Sequence, residues 1–310
     1  MPPAGFNSFE KRVMLKKYND NDLQNFVRQV IGNVDSRPLL EAANQHGSRS
    51  ALSPYDEELA KRTLFRFFNE EVRRQQNLED VFEFADEELS KNQERAAKTV
   101  DENWAYRFVN LAKDITENDL KRYWGRLLAG EIESPGTFSY RILLLLSQLS
   151  RNEIERIKII FRYALFSDVY EKAQILKTKD YDPIGMSDLL FMQDLGLIST
   201  EKITLNYKDL NYGAQNYLVF YRNGIGIVFS TNKRIISFPI HKLTNIGREL
   251  LLLSSDVDVD IDCLRTIARA TLKEQTGSIS AKCGKIFVDA DRWHMDELIF
   301  EMTQSEAMNG

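Results

Sequence analysis

Three groups of side chains in this 310-residue sequence have types and spacings that invite a chemical reading. The first is the run Asp256, Asp258, Asp260, Asp262, with carboxylates at alternate positions as in an oxygen-ligated calcium loop. Such a loop also needs Gly at its sixth position, for a sharp turn, and Glu at its twelfth. Counted from Asp256, those places hold Ile261 and Ile267. The carboxylates therefore read as the acidic start of a helix, near the positive end of its dipole.

The second group is the histidines and cysteines. His46, His241 and His294 are scattered, with no His or Cys at zinc-ligand spacing. His294, in D-R-W-H-M-D-E, is placed at a surface helix terminus. Cys263 shares a helix face with Ile267 and reads as an inert buried thiol. Cys283, between Gly and Lys residues, is expected in an exposed loop without a base partner. There is no G-x-x-x-x-G-K, no G-x-G-x-x-G after a strand and no G-x-S-x-G elbow. The expectation is no catalytic residue, no metal and no cofactor.

The third group is basic. Arg222, Lys233 and Arg234, interleaved with Tyr217, Tyr221 and Phe229, flank the turn pair Asn223-Gly224. Cations beside aromatic rings suit phosphate contact and base stacking, so these three are the candidate nucleic-acid-binding residues. The alternative is structural: charges on a hairpin protect an edge strand from aggregation.

Those residues need elements to hold them. Residues 1–52 read as an arm with a helical stretch at Asp22–Ile31 (Leu23, Phe26, Val27, Val30), then a Gly/Ser-rich linker from Asn44 to Ser53. Residues 53–180 read as a helical domain. Ser53 caps, and Pro54 opens, a helix or helix pair running to about Gln93, with Leu78, Val81, Phe82, Ala85 and Leu89 on one stripe. Asp101 caps a helix bearing Trp104, Phe108, Leu111 and Ala112. Thr116 with Asp119 opens one bearing Leu120, Tyr123, Trp124, Leu127 and Leu128, ending at Gly130. Thr137 or Ser139 starts the next, and Ser150 with Glu153 forms a capping box for a further helix through Ile154, Ile157 and Phe161.

Residues 181–304 read as a smaller α+β domain. Ser187 caps a short helix ending at Gly196. Strands are expected at Tyr217–Tyr221, Gly226–Phe229, Arg234–Pro239 and Lys285–Val288, as an antiparallel hairpin or meander. Thr244 caps a helix over Ile246–Leu253; further helices are expected at about Val259–Lys273 and Trp293–Met302, with 305–310 a frayed tail. The fold class is α+β, mostly α.

Composition bounds the rest. A net charge of −5 with 43% hydrophobic residues describes a folded chain that is no bulk polyanion binder. Charge is uneven: residues 51–135 hold 13 Lys/Arg against 19 Asp/Glu, and residues 201–250 hold 7 against 3. Two cysteines make no disulfide framework, and the first residues contain no apolar signal-peptide core, so a cytoplasmic protein is expected. The aliphatic runs Ile142–Leu146 and Leu250–Leu253 are too short to span a bilayer.

D-E-N-W-A-Y-R-F at Asp101–Phe108, Trp124, L-L-A-G-E at Leu127–Glu131, P-G-T-F-S at Pro135–Ser139 and R-R-Q-Q-N-L-E at Arg73–Glu79 together resemble a bacterial domain of unknown function, number 2806, over roughly residues 70–255. The resemblance implies no activity. Within it Trp104, Trp124, Leu127 and Leu128 read as core, Gly130 as a C-cap with positive φ, Pro135 and Gly136 as a turn, and Ser139 as an N-cap. Glu131 is free to satisfy the next helix's amides. A second similarity is to winged-helix modules: the helix at Leu189–Gly196, then G-L-I, a hairpin, and K-L-T-N-I-G-R-E-L at Lys242–Leu250. The helix lacks any Lys or Arg between Ser187 and Ser199, which argues against reading DNA with it.

The expected function is a non-enzymatic interaction or regulatory protein working through protein contacts, in an oligomer or with a protein partner. The alternatives are nucleic-acid binding through the basic hairpin, and an effector of bacterial anti-phage defence, the latter resting only on the family being bacterial and unassigned. No membrane and no small-molecule substrate is expected.

Overall fold

The computed structural model describes residues 54–91, 99–167, 172–176, 184–208, 216–231, 235–255, 257–275, 277–289 and 292–309. The expected arm over 1–52, the Ser53 cap and the expected domain boundary at 180/181 lie outside them. The chain divides into two compact units, Met1–Gln148 and Leu149–Gly310.

The first unit is helical. α1 (Pro54–Leu89) is one unbroken helix, not a pair. Its expected stripe is buried: Leu78, Val81, Phe82, Ala85 and Leu89 are all at most 6% exposed. α2 (Glu102–Ala112) starts where Asp101 accepts the Trp104 amide at 2.9 Å. α3 (Asn118–Glu133) buries Leu120, Tyr123, Trp124, Leu127, Leu128 and Ile132. It packs closely on α1 because Gly125 has no Cβ, which would sit 2.5 Å from that of Phe84. Two expectations for α3 fail. Its N-cap is Glu117, which makes no side-chain cap bond, so Thr116 and Asp119 form no capping box. The helix also runs through Gly130 to Glu133, because Ile132 still has core to fill. α4 (Tyr140–Gln148) follows Ser139 and buries Ile142, Leu143 and Leu146. The rings of Trp104 and Phe108 stack at 5.2 Å, and Phe108 meets Trp124 at 5.2 Å.

The second unit begins with α5 (Arg151–Phe161), whose Ser150/Glu153 capping box forms as expected. A sheet of eight strands follows: β1 (Ala164–Ser167), β2 (Lys172–Leu176), β3 (Ile198–Lys208), β4 (Asn216–Arg222), β5 (Ile225–Thr231), β6 (Ile235–Leu243), β7 (Ile279–Asp289) and β8 (Arg292–Thr303). The order is β3-β6-β2-β1-β4-β5-β7-β8, and every neighbouring pair is antiparallel. The helices are α6 (Met186–Asp194), α7 (Asn245–Leu253), α8 (Ile261–Glu274) and α9 (Gln304–Asn309). The mixed helix-and-strand class holds. The winged-helix arrangement is not seen: β5 pairs with β4 and β7 while β6 pairs with β2 and β3, so the expected meander β4-β5-β6 does not form.

One face of the sheet carries the unit's core. Leu264, Ile267, Ala268 and Leu272 of α8 pack with Leu218, Phe220, Ile227, Phe229, Ala281, Cys283, Phe300 and Met302. Thr244 and Asp260 cap α7 and α8, the latter accepting the Asp262 amide at 2.8 Å. Four local expectations change. Ser187 is not the cap of α6; Gly185 precedes the helix, and the Asp188 carboxylate accepts its amide at 3.0 Å. Residues 293–302 are strand, because they pair along β7 and bury Phe300 and Met302 at strand spacing. Cys283 is buried within β7, not in an exposed loop. The supposed frayed tail is α9, with Ala307 fully buried and the Gln304 amide donating to Leu272 O at 3.1 Å.

Candidate functional site

The basic hairpin is tested at its turn. Asn223 and Gly224 both have positive φ (51° and 73°), which is the geometry a two-residue turn between β4 and β5 requires. Arg222 precedes that turn, but it is only 4% exposed. Its Nη1 donates to Phe161 O at 2.5 Å and its Nη2 to Val257 O at 2.8 Å. Burial lowers its pKa to about 10, opposed by the charge of Asp258. The guanidinium ties the end of α5 to the segment before α8, so Arg222 is corrected from a surface contact to a buried clamp. Lys233 and Arg234 lie outside the described residues. Phe229 is buried edge-on to Phe220, at 6.3 Å.

The family-motif residues come together in the first unit. Trp104 Nε1 donates to Phe138 O at 2.9 Å. Gly130 is not a C-cap with positive φ; it lies inside α3, where a Cβ would stand 2.7 Å from Phe138 Cε2. The positive φ belongs to Gly136, at 88°. Glu131 is 1% exposed, and its two oxygens accept the amides of Gly136 at 2.6 Å and Phe138 at 3.0 Å. Its carboxylate thus supplies the acceptors that the turn at Pro135-Gly136 needs before α4 begins. Trp104 and Glu131 thus hold the turn, while the indole N–H of Trp124 is buried without a hydrogen-bond partner.

Among the described residues, no group of three or more His, Cys, Asp and Glu side chains is placed to hold a metal. His294 is exposed on β8 and stacks on Phe287 at 5.2 Å, so it sits on a strand and not at a helix terminus. Burial raises the pKa of both thiols, Cys283 to about 12.

The sequence reading missed a concave site on the other face of the sheet. Gly284 on β7 marks a register shift against β8, and Gly226 is its partner on β5. A Cβ on Gly226 would meet Phe220 O, and would stand 2.7 Å from Ile286 Cδ1. A Cβ on Gly284 would meet Glu297 O, and would stand 2.8 Å from Met295 Sδ. These two glycines let the end of the β7–β8 hairpin bend over the sheet. Ile286, Trp293 and Met295 thereby pack with Val219, Val228, Tyr217 and Tyr221 in a second small apolar cluster. Beside it a cleft of about 500 Å³ remains. Tyr217 and Trp293 meet edge to face on its wall, 5.6 Å between centroids. Ser230 and Ser280 share a hydrogen bond of 2.8 Å, and Lys282 stands 3.5 Å from Glu301. Its residues come from four strands, β4, β5, β7 and β8, and only period-two alternation in 293–303 could have pointed to it.

Residues 61–179 match the model of a family described as Protein of unknown function (DUF2806). The match covers 119 of the 310 residues. No curated protein and no solved structure matches the chain. The DUF2806 match contains the whole stretch Asp101–Ser139 and stops at 179, short of the expected limit near 255. The cleft lies beyond the DUF2806 match. No helix among the described residues is long and apolar enough to cross a membrane.

Proposed function

We propose that the protein works through protein contacts and not by catalysis, with the first half of α1 as the contact surface and a second copy as its partner. One observation carries this. The helix that buries Leu78–Leu89 leaves Leu64, Phe65, Phe67 and Phe68 each at least 59% exposed. Leu64 and Phe67 continue the same helical stripe as Leu78 and Val81, so a core-like face runs on without a cover among the described residues. Burying a side chain of this size is worth about 1.5–3 kcal/mol, and a group of large apolar residues left bare marks an interaction site.

The test is light scattering on the full chain and on the double variant Leu64→Asp/Phe68→Asp. The wild type is expected to run as an oligomer and the variant as a monomer with an unchanged circular dichroism spectrum. A wild type that is strictly monomeric would sink the reading. Nucleic-acid binding through the basic hairpin is the weaker reading, because Arg222 is committed to two backbone carbonyls.

A further inference from the structure

We propose that the cleft under the β7–β8 hairpin binds a guanine base. This inference rests on the second unit alone and stands apart from the contact surface on α1.

The walls define the ligand class. The cleft has one cation, Lys282, and one anion, Glu301, so it does not favour a phosphate or a carboxylate. Adjacent opposite charges favour a neutral molecule with acceptors beside donors. Tyr217 and Trp293 provide an aromatic wall for a flat ring, and Val228 an apolar floor. A volume of about 500 Å³ accepts a base with its sugar. The Lys282–Glu301 pair is 3.5 Å long with both side chains nearly half exposed, so opening it costs little. The two serine hydroxyls share one hydrogen bond, leaving one O–H able to donate to a ligand.

The order of polar groups selects the base. The ammonium of Lys282 is a donor, and the carboxylate of Glu301 offers two acceptor oxygens. The Watson–Crick edge of guanine presents the matching series: the O6 acceptor, then the N1–H and N2–H donors. Adenine and cytosine can set a ring-nitrogen acceptor against the lysine, but then offer only one donor, the amino group, to the two carboxylate oxygens. Uracil sets a carbonyl against one carboxylate oxygen. Stacking on aromatic rings combined with reading of a base edge is a general mode for unpaired bases. The base can come from a free nucleotide or from a single strand. No cation other than Lys282 lines the cleft among the described residues, so the phosphate should add little.

Isothermal titration calorimetry on the full chain tests this, with guanosine, inosine, adenosine, cytidine and uridine as probes. Guanosine is expected to bind at one site per chain. Inosine, which lacks the N2 amino group, and adenosine, which has one donor for the carboxylate, should each bind about tenfold or more weakly. Glu301→Gln should lose guanosine binding while its melting temperature stays at the wild-type value, since Glu301 is on the surface. GMP should match guanosine. A guanine-containing single strand that binds more tightly than guanosine, where an all-adenine strand does not bind, identifies nucleic acid as the source; equal affinity identifies the free nucleoside or nucleotide. No heat from guanosine, or equal affinity for adenosine, overturns the proposal.

Discussion

Glu131 accepts the amide of Gly136, five residues ahead of it, at 2.6 Å, with its carboxylate almost wholly out of water. Its second oxygen takes the Phe138 amide at 3.0 Å. One side chain thus closes the turn between α3 and α4. Glu131→Ala leaves two amides without that acceptor, and the cost is expected to be about 2–4 kcal/mol. Glu131→Gln keeps one acceptor and should fall between. Urea unfolding of the three proteins checks the order.

Gly130 and Phe138 make a second test in the same place. On helix propensity alone, Gly130→Ala would stabilise by about 1 kcal/mol. The new Cβ would stand 2.7 Å from the Phe138 ring, so the expected sign is the reverse, a loss of about 1–3 kcal/mol. Adding Phe138→Leu should recover part of it. A stabilised Gly130→Ala protein would show that the ring moves aside freely.

Arg222 is expected to matter to folding. Arg222→Ala removes the donors to Phe161 O and Val257 O and should cost about 2–4 kcal/mol in chemical unfolding. Arg222→Met fills similar volume without burying a charge and should cost less. Equal stability of the alanine variant and the wild type would remove the clamp.

The Ser150–Glu153 box gives a pH signature. Hydrogen bonds from the Ser150 hydroxyl and then its amide hold the Glu153 carboxyl below its usual range. A depressed carboxyl pKa stabilises the fold above the unfolded-state value and loses that contribution as pH falls through the folded one. Ser150→Ala should therefore cost about 0.5–1 kcal/mol at neutral pH, and the gap to wild type should narrow between about pH 5 and 3. Thermal melts at each pH measure it.

Both thiols should be silent in the native protein. Cys263 and Cys283 are buried with raised pKa values. Ellman's reagent at neutral pH is expected to label neither in the native state and both in guanidinium chloride. Rapid labelling of Cys283 in the folded protein would contradict the placement of β7, and of Cys263 that of α8.

Local signals in the sequence were sound guides. Asp101, Ser150 and Thr244 cap helices because a side-chain oxygen three residues before an amide needs nothing distant to form its bond. Asn223-Gly224 turns for the same reason. Two local cap signals, at Thr116 and Ser187, failed by one or two residues; the other failures depended on partners far along the chain. Gly130 looks like a helix end until Phe138 is seen to need its space. Residues 293–302 look helical until β7 lies beside them. Arg222 looks like a surface cation until two carbonyls, 61 and 35 residues away, converge on it. The cleft depends on four strands and two bending glycines, and none of that pairing is written in local spacing.

The limits of the DUF2806 match bear on how the chain can be divided. The match ends at 179, after β1 and β2 but before β4 and β6, the strands on which those two pair. A fragment trimmed to the matched residues would carry a two-stranded ribbon with both flanks open, inviting the ribbons of other molecules to stack against it. Trimming between Gln148 and Leu149 spares every strand, so that is where a divided protein should stay soluble.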